Sequence, residues 1–358
     1  MIKRLVALLL VAAAAVGCGH PLIPGSVLAA RGGAASESAT EPAVIGANGP
    51  VLGVNLYALS NYSAAQVTAD GKRMLSYIRN VLHAGAVDIV WNFYASSYYS
   101  DTVDAPSASL SAANVAILTG IAQQDGLLVE YRPLIMVNAA DPWEGHINPA
   151  DPALWFDNYY DRELPYLQMA QKYHINEFVA ATEMKALNSS PYWPMFFARI
   201  GEIYHGVISY AAHEADYLPP TTRLLQLNYI GMDMYRSFNL PSSASSAQVT
   251  KSYESFFSDV PASVLRRTAI DETGIEARAG AYQEPSYLYI PGSLDEAVQA
   301  NWFTAACNTV KKYDMRAVFF WKVDLTDYPV TNPASSLSTF EGKEGAQAIR
   351  RCASVLSG

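Results

Sequence analysis

The sequence predicts a single (β/α)8 barrel, and three observations carry that prediction. Strand-like and helix-like stretches alternate eight times over about 305 residues, the count and length of such a barrel. The strand stretches are short continuous apolar runs, such as Phe178-Val179-Ala180-Ala181, as in a parallel sheet covered on both faces. The competing doubly wound sheet needs a glycine-rich turn after its first strand, and VNLYALSNYS offers none.

The elements follow in order. VLGVNLYA from Val51 is the first strand, and Gly71 to Ala84 has helical spacing through Met74, Ile78 and Leu82. VDIVWNFYA (87–95) is the second strand, with a helix over 111–123, and LLVEYRPLIMV (127–137) the third, with a long amphipathic helix over 155–173. The fourth strand runs into Thr182–Glu183, and its helix covers 194–204. VISYAA (207–212) is the fifth, followed by a short helical turn near Thr222 to Leu225. YIGMDMY (229–235) is the sixth strand with helix 247–257, and RRTAIDET (266–273) the seventh with helix 294–313. RAVFFWKV (316–323) is the eighth, and a helix over 345–355 closes the ring.

The barrel occupies residues 50–358. Residues 1–18 have the form of an export signal: Lys3 and Arg4, then an apolar run from Leu5 to Val16 too short for a stable membrane anchor. Ala15-Val16-Gly17-Cys18 resembles a bacterial lipoprotein cleavage box, which makes Cys18 the lipidated first residue of the mature chain. An ordinary secretory signal with a coincidental Cys is the alternative; either way the chain is exported. Residues 19–49 are Ala-, Gly- and Ser-rich without period, the composition of a flexible tether. Of the 3 Cys, Cys307 and Cys352 then remain, either bridged in an oxidising compartment or as two buried thiols. A formal charge of −9 and the absence of a basic cluster argue against nucleic acid. The 6 His show no ligand-like grouping, so neither metal nor cofactor is expected. The chain is read as a monomer that meets a membrane only through its lipid.

A barrel keeps its chemistry at the C-terminal ends of its strands. Those ends carry carboxylates, aromatics and amides, without Ser–His pairing. Glu183 ends strand four and Glu272 ends strand seven, the pattern of a retaining glycosidase, in which one carboxyl is acid then base and the other attacks the anomeric carbon. Around them Trp91, Tyr94, Trp143, His213, Asp233, Tyr235 and Trp321 are candidate contacts for a polysaccharide or oligosaccharide, with a place in the core as the alternative for the aromatics and a structural role at the barrel mouth as the alternative for Asp233. Trp321 is expected to floor the sugar that is cut, Trp143 to stack on its neighbour, and Tyr235 to hydrogen-bond Glu272. A surface carbohydrate-binding protein without turnover is the alternative of a different class.

Several words of this sequence, in this order, carry a resemblance: TEM at 182–184, RIGEIYHGVISYAA at 199–212, NYIGMDMY at 228–235, DETG at 271–274 and AVFFWKVD at 317–324. Together with WEGHINPADPALWFDNY at 143–159, they resemble glycoside hydrolase family 113, a retaining barrel family known for endo-β-1,4-mannanases. The resemblance spans about residues 51–325 and implies Glu183 as acid/base and Glu272 as nucleophile. This chain departs from the family's pattern at Ala181 (usually Gly), His213 (usually Asn), Asp271 (usually Thr) and Lys322 (commonly acidic).

Overall fold

A computed structural model describes residues 42–217, 227–286, 291–332 and 336–358. Eight parallel strands close in sequence order into one barrel. They are β1 (Val51–Tyr57), β2 (Ala86–Ala95), β3 (Leu128–Val137), β4 (Glu177–Thr182), β5 (Val207–His213), β6 (Ile230–Asp233), β7 (Thr268–Thr273) and β8 (Ala317–Asp324). The described helices are α1 (Ala64–Ser76), α2 (Ala112–Gln124), α3 (Pro152–Lys172), α4 (Trp193–Ile203), α5 (Glu214–Tyr217), α6 (Ser246–Phe257), α7 (Ala262–Leu265), α8 (Glu296–Tyr313) and α9 (Glu344–Ser357). The helical turn expected near Thr222 to Leu225 lies outside the described residues, as does everything before residue 42, Cys18 included.

Local chemistry sets several boundaries. Ser63, Ser111 and Asp151 cap α1, α2 and α3 by accepting from the backbone N–H three residues on, and Ser245 with Gln248 forms a full capping box on α6. The Ser63 cap explains one difference from the sequence reading: the first helix starts at Ala64 rather than Gly71, and its end, Tyr77–Val81, is a π-helical turn. Residues 42–49, read from the sequence as the end of the tether, belong to the barrel instead. Ile45 is fully buried at the barrel floor, where its carbonyl accepts from Nε and Nη2 of Arg316 at 3.1 and 3.0 Å.

The lumen is layered. At the floor, Phe319 packs with Ile45, Ala86, Ala269 and Ala317. Gly53 is obligatory there, because a Cβ would lie 2.3 Å from the Phe319 ring. Above this floor the lumen turns polar, with Asn55, Asp88, Glu130, Arg132 and Asp271 all fully buried. Between sheet and helices lies an aromatic shell: Trp91 stacks on Tyr166 of α3 at 4.5 Å, and Tyr159 stacks on Phe196 of α4 at 5.4 Å. Each such ring contributes about 1.5–3 kcal/mol by leaving water. Cys307 of α8 and Cys352 of α9 are joined by a disulfide, with their Cα atoms 5.7 Å apart. Closing that 45-position loop is worth about 4 kcal/mol in the chain-entropy picture.

Candidate active site

Strand alternation sends every second side chain into the lumen, and the polar ones converge on Arg132 of β3. Its Nε lies 2.9 Å from Asp88 of β2, and its Nη1 lies 3.0 Å from Asp233 of β6 and 3.4 Å from Glu272 of β7. Asn55 of β1 completes the layer, donating to Asp88 at 2.8 Å and to the Asp271 carbonyl at 3.0 Å. One fully buried guanidinium thus faces three carboxyls. Burial pushes Asp88 up to about 7 and Asp233 to about 8, with Arg132 pulling both the other way.

Glu272 sits on top of this layer, 8% exposed. Tyr57 donates to its Oε2 at 2.8 Å and Tyr235 to its Oε1 at 2.6 Å. Donors on both oxygens and a guanidinium beside one of them fix its direction. Both phenols are pushed well above their usual range, burial first and the Glu272 charge second, so each stays a donor.

Glu183 follows the last residue of β4 with φ +47°, left-handed backbone that costs a non-glycine residue about 1–3 kcal/mol. The turn is held by its N–H on the Ala211 carbonyl at 2.8 Å and by the Lys185 N–H on its own carbonyl at 2.6 Å. The indole N–H of Trp143 donates to Glu183 Oε2 at 2.5 Å. Burial pushes Glu183 well above the usual carboxylate range, helped by the charges of Asp233, Glu144 and Glu272 and opposed by the Trp143 bond. Two carboxyls at one barrel mouth therefore stand in unlike surroundings, Glu272 under two phenolic donors and a guanidinium and Glu183 desolvated beside other carboxyls.

The remaining sequence candidates separate into four groups. Trp143 and His213 are partly exposed beside Glu183, their rings 5.3 Å apart, with the Lys185 ammonium 5.9 Å from the indole. His213 Nδ1 accepts the Ala215 N–H at 3.1 Å, which leaves the neutral-ring proton on Nε2; burial and Lys185 lower the imidazole to about 4. Tyr94 is half-buried at the end of β2, where its backbone pairs with Asp104. Trp321 lies at the mouth, edge-on to Tyr57 at 6.3 Å, with Lys322 5.3 Å from its ring, and only 4% of it is exposed. The last two sequence candidates are corrected. Trp91 is fully buried in the aromatic shell, because its place in β2 turns it outward against Tyr166. Asp233 is 1% exposed and engaged with both oxygens on Arg132, so it supports Glu272 from beneath and does not meet a ligand.

Sequence reading missed Arg132, whose signal was a lone Arg inside an apolar strand, LVEYRPLIMV.

A family model for glycoside hydrolase family 113 matches residues 67–340. The chain belongs to that family. It is therefore a glycoside hydrolase. No curated protein sequence matches it. Its fold is similar to that of the family 113 β-mannanase AaManA from Alicyclobacillus acidocaldarius, solved with ManMIm, with TM-score 0.74 and 16% identity over 87% of this chain and 99% of that one. It is also similar to a family 113 β-1,4-mannanase, with TM-score 0.72 and 17% identity over 85% and 99% of the two chains. A family 5 enzyme from Streptomyces cattleya, solved with Manβ1-4GlcNAc, shares the fold more distantly, with TM-score 0.56 and 14% identity over 85% and 80%.

Proposed function

We propose that this protein is an exported retaining β-glycosidase that cuts a β-1,4-mannan-like polysaccharide, with Glu183 as acid/base and Glu272 as nucleophile. The observation that carries the reading is the unequal treatment of the two carboxyls. Glu272 is surrounded by two phenolic donors and Arg132, while Glu183 is desolvated and faces other carboxyls. Glu183 then gives its proton to the glycosidic oxygen as Glu272 attacks the anomeric carbon, and the carbon–oxygen bond breaks. In the second step Glu183 takes a proton from water, the water oxygen attacks the anomeric carbon, and Glu272 is released.

The other residues have roles that follow from their places. Trp143 offers a ring beside the acid for stacking the leaving unit, and His213 a neutral N–H next to it. Trp321 walls the sugar that is cut, and Tyr94 lies farther out along β2. Mannan is the first substrate to try, because the chain belongs to family 113 and two similar folds are β-mannanases of that family.

The test is reducing-sugar release from β-mannan, β-glucan and xylan. Hydrolysis of mannan, lowered roughly 10²–10⁴-fold in Glu183→Gln, is the expected result. Sugar binding without turnover on all three would make the protein a carbohydrate-binding module instead. For location we propose a lipid anchor at Cys18, supported by the basic start, the short apolar run and the tether composition. Fatty-acid labelling should tag the wild type and not Cys18→Ser. A mature chain found free and starting elsewhere would remove the anchor and leave the glycosidase reading standing.

A further inference from the structure

Beyond His213 the barrel mouth opens into a recess that the catalytic scheme leaves unused. It lies past the ends of β5 and β6, against α6, and encloses about 600 Å³. That volume is within the range of about 300–1,000 Å³ occupied by small-molecule sites. Glu214 stands on the β5 side, Arg236 and Asn239 on the β6 side, and Ser255 and Phe256 on the α6 side.

The wall that carries Arg236 is pinned on both sides. Tyr235 turns inward, donating to Glu272 at 2.6 Å, and the next residue turns outward: the Arg236 guanidinium lies 5.3 Å from the Phe256 ring, within cation–π reach. Two positions on, Phe238 is buried against Tyr253 at 5.2 Å and Trp302 at 5.3 Å, and its N–H donates to the Tyr282 carbonyl at 2.8 Å. The recess is therefore a formed feature of the barrel rim.

Its chemistry suits a sugar ring. Arg236 and Asn239 are exposed, and among the described residues neither side chain spends itself on a hydrogen bond or an ion pair. A guanidinium brings a plane of donors, an amide brings donors and an acceptor, and the Ser255 hydroxyl brings both. The half-buried Phe256 ring adds an apolar surface beside them.

Contacts place the recess on the flank of the acid. Glu183 Oε2 takes the Trp143 indole N–H at 2.5 Å, the Trp143 and His213 rings are 5.3 Å apart, and His213 Nε2 is 3.5 Å from Glu214 Oε2. Glu214 then lines the recess. This path starts at the group that protonates the leaving oxygen and leads away from Trp321, which stands on β8 beside Tyr57 of β1.

We propose that this recess is a subsite for the second sugar unit on the leaving side of the cut, with Arg236 and Asn239 bonding its hydroxyls. The proposal deepens the glycosidase reading and rests on it: the first leaving unit stacks at Trp143, and the next one enters the recess. Occupancy there selects which bond of a chain is cut, so that fragments of two or more units leave in preference to single sugars.

The experiment uses a tetrasaccharide of whichever glycan the wild type hydrolyses, labelled with oxygen-18 at its reducing end. Wild type, Arg236→Ala and Ser255→Trp are compared, and mass spectrometry reads how many units the labelled fragment keeps. The wild type should release mainly the labelled two-unit fragment. Loss of the guanidinium should lower the ratio of two-unit to one-unit labelled fragments roughly ten- to a hundredfold, and Ser255→Trp, which fills the recess from the α6 side, should lower it likewise. Arg236 and Ser255 are both exposed, so melting temperatures should stay near that of the wild type. An unchanged ratio in both variants, whatever happens to the overall rate, would overturn the subsite and leave the glycosidase reading standing. If no glycan is cut, titration calorimetry with the tetrasaccharides of β-mannan, β-glucan and xylan separates the two claims. Binding that Arg236→Ala weakens would keep the subsite and remove the glycosidase, whereas equal binding or none would remove both.

Discussion

Val90 pairs with Arg132 across β2 and β3, so Trp91 and Arg132 are near neighbours in the sheet that face opposite ways. Trp91 looks outward into a shell of rings, stacked on Tyr166 and edge-on to Tyr131 and Phe93. Arg132 looks inward to Asp88, Asp233 and Glu272. The shell is held by apolar area and tolerates change that keeps volume. The lumen is held by a balance of charge in which every member matters to the others. The difference teaches where stability and chemistry are kept apart in this barrel. A ring lost outside should weaken the fold and leave the chemistry, while loss of the Arg132 charge inside should damage both.

The sharpest way to break that contrast is to match the two sites in stability. Trp91→Ala should cost about 3–5 kcal/mol through its cavity, and Arg132→Met about the same by leaving buried carboxyls uncompensated. Denaturant unfolding checks both. The expected difference is in the folded protein: Trp91→Ala keeps the wild-type pH profile, whereas Arg132→Met loses it together with most of its turnover. Equal loss of activity in the two variants would erase the distinction.

A smaller effect is expected above the charged layer. Tyr235→Phe and Tyr57→Phe each remove one donor from Glu272, worth about 1.5–3 kcal/mol for a bond to a charged group. Steady-state kinetics should show this as a fall in kcat/KM of roughly ten- to a hundredfold, with thermal stability little changed. If the fall is confined to KM, the tyrosines bind substrate and do not hold the nucleophile.

Smaller still is a pH effect on stability. Asp271 and Glu130 are fully buried, and among the described residues their carboxyl oxygens have no hydrogen-bond partner; burial pushes both well above the usual carboxylate range. The sign follows from linkage. A carboxyl with its folded value raised contributes stability below its unfolded value, near pH 4, and that contribution is lost as pH rises toward the folded value. Asp271→Asn should therefore be more stable than wild type at pH 8 by about 1–2 kcal/mol, and the gain should shrink toward pH 4. Melting curves at the two pH values decide it. A gain independent of pH would mean that packing against Gly231, where a Cβ would already meet Asp271, is responsible instead.

The same contrast explains what the sequence could show. Strand order and the barrel itself were readable because parallel strands covered on both faces leave continuous apolar runs, and Glu183 and Glu272 stood out as carboxyls ending two of them. Direction within a strand was harder. Trp91 and Tyr94 both looked like mouth residues, but the two-residue alternation of β2 sends Trp91 into the shell and leaves Tyr94 half-buried at the strand's end. Asp233 was read as a substrate contact because no local pattern announces a partner 101 positions away on Arg132. Ile45 was hidden inside a low-complexity stretch, although it closes the barrel floor.

The central claim is that this lumen makes Glu272 the nucleophile, and covalent trapping addresses it most directly. A 2-deoxy-2-fluoro β-mannosyl fluoride, whose fluorine slows the second step, should leave a glycosyl adduct on the peptide carrying Glu272, found by mass spectrometry after digestion. The first product formed from mannan should correspondingly keep the β configuration by proton NMR. An enzyme that hydrolyses mannan yet carries no adduct and releases the α anomer first would contradict the account.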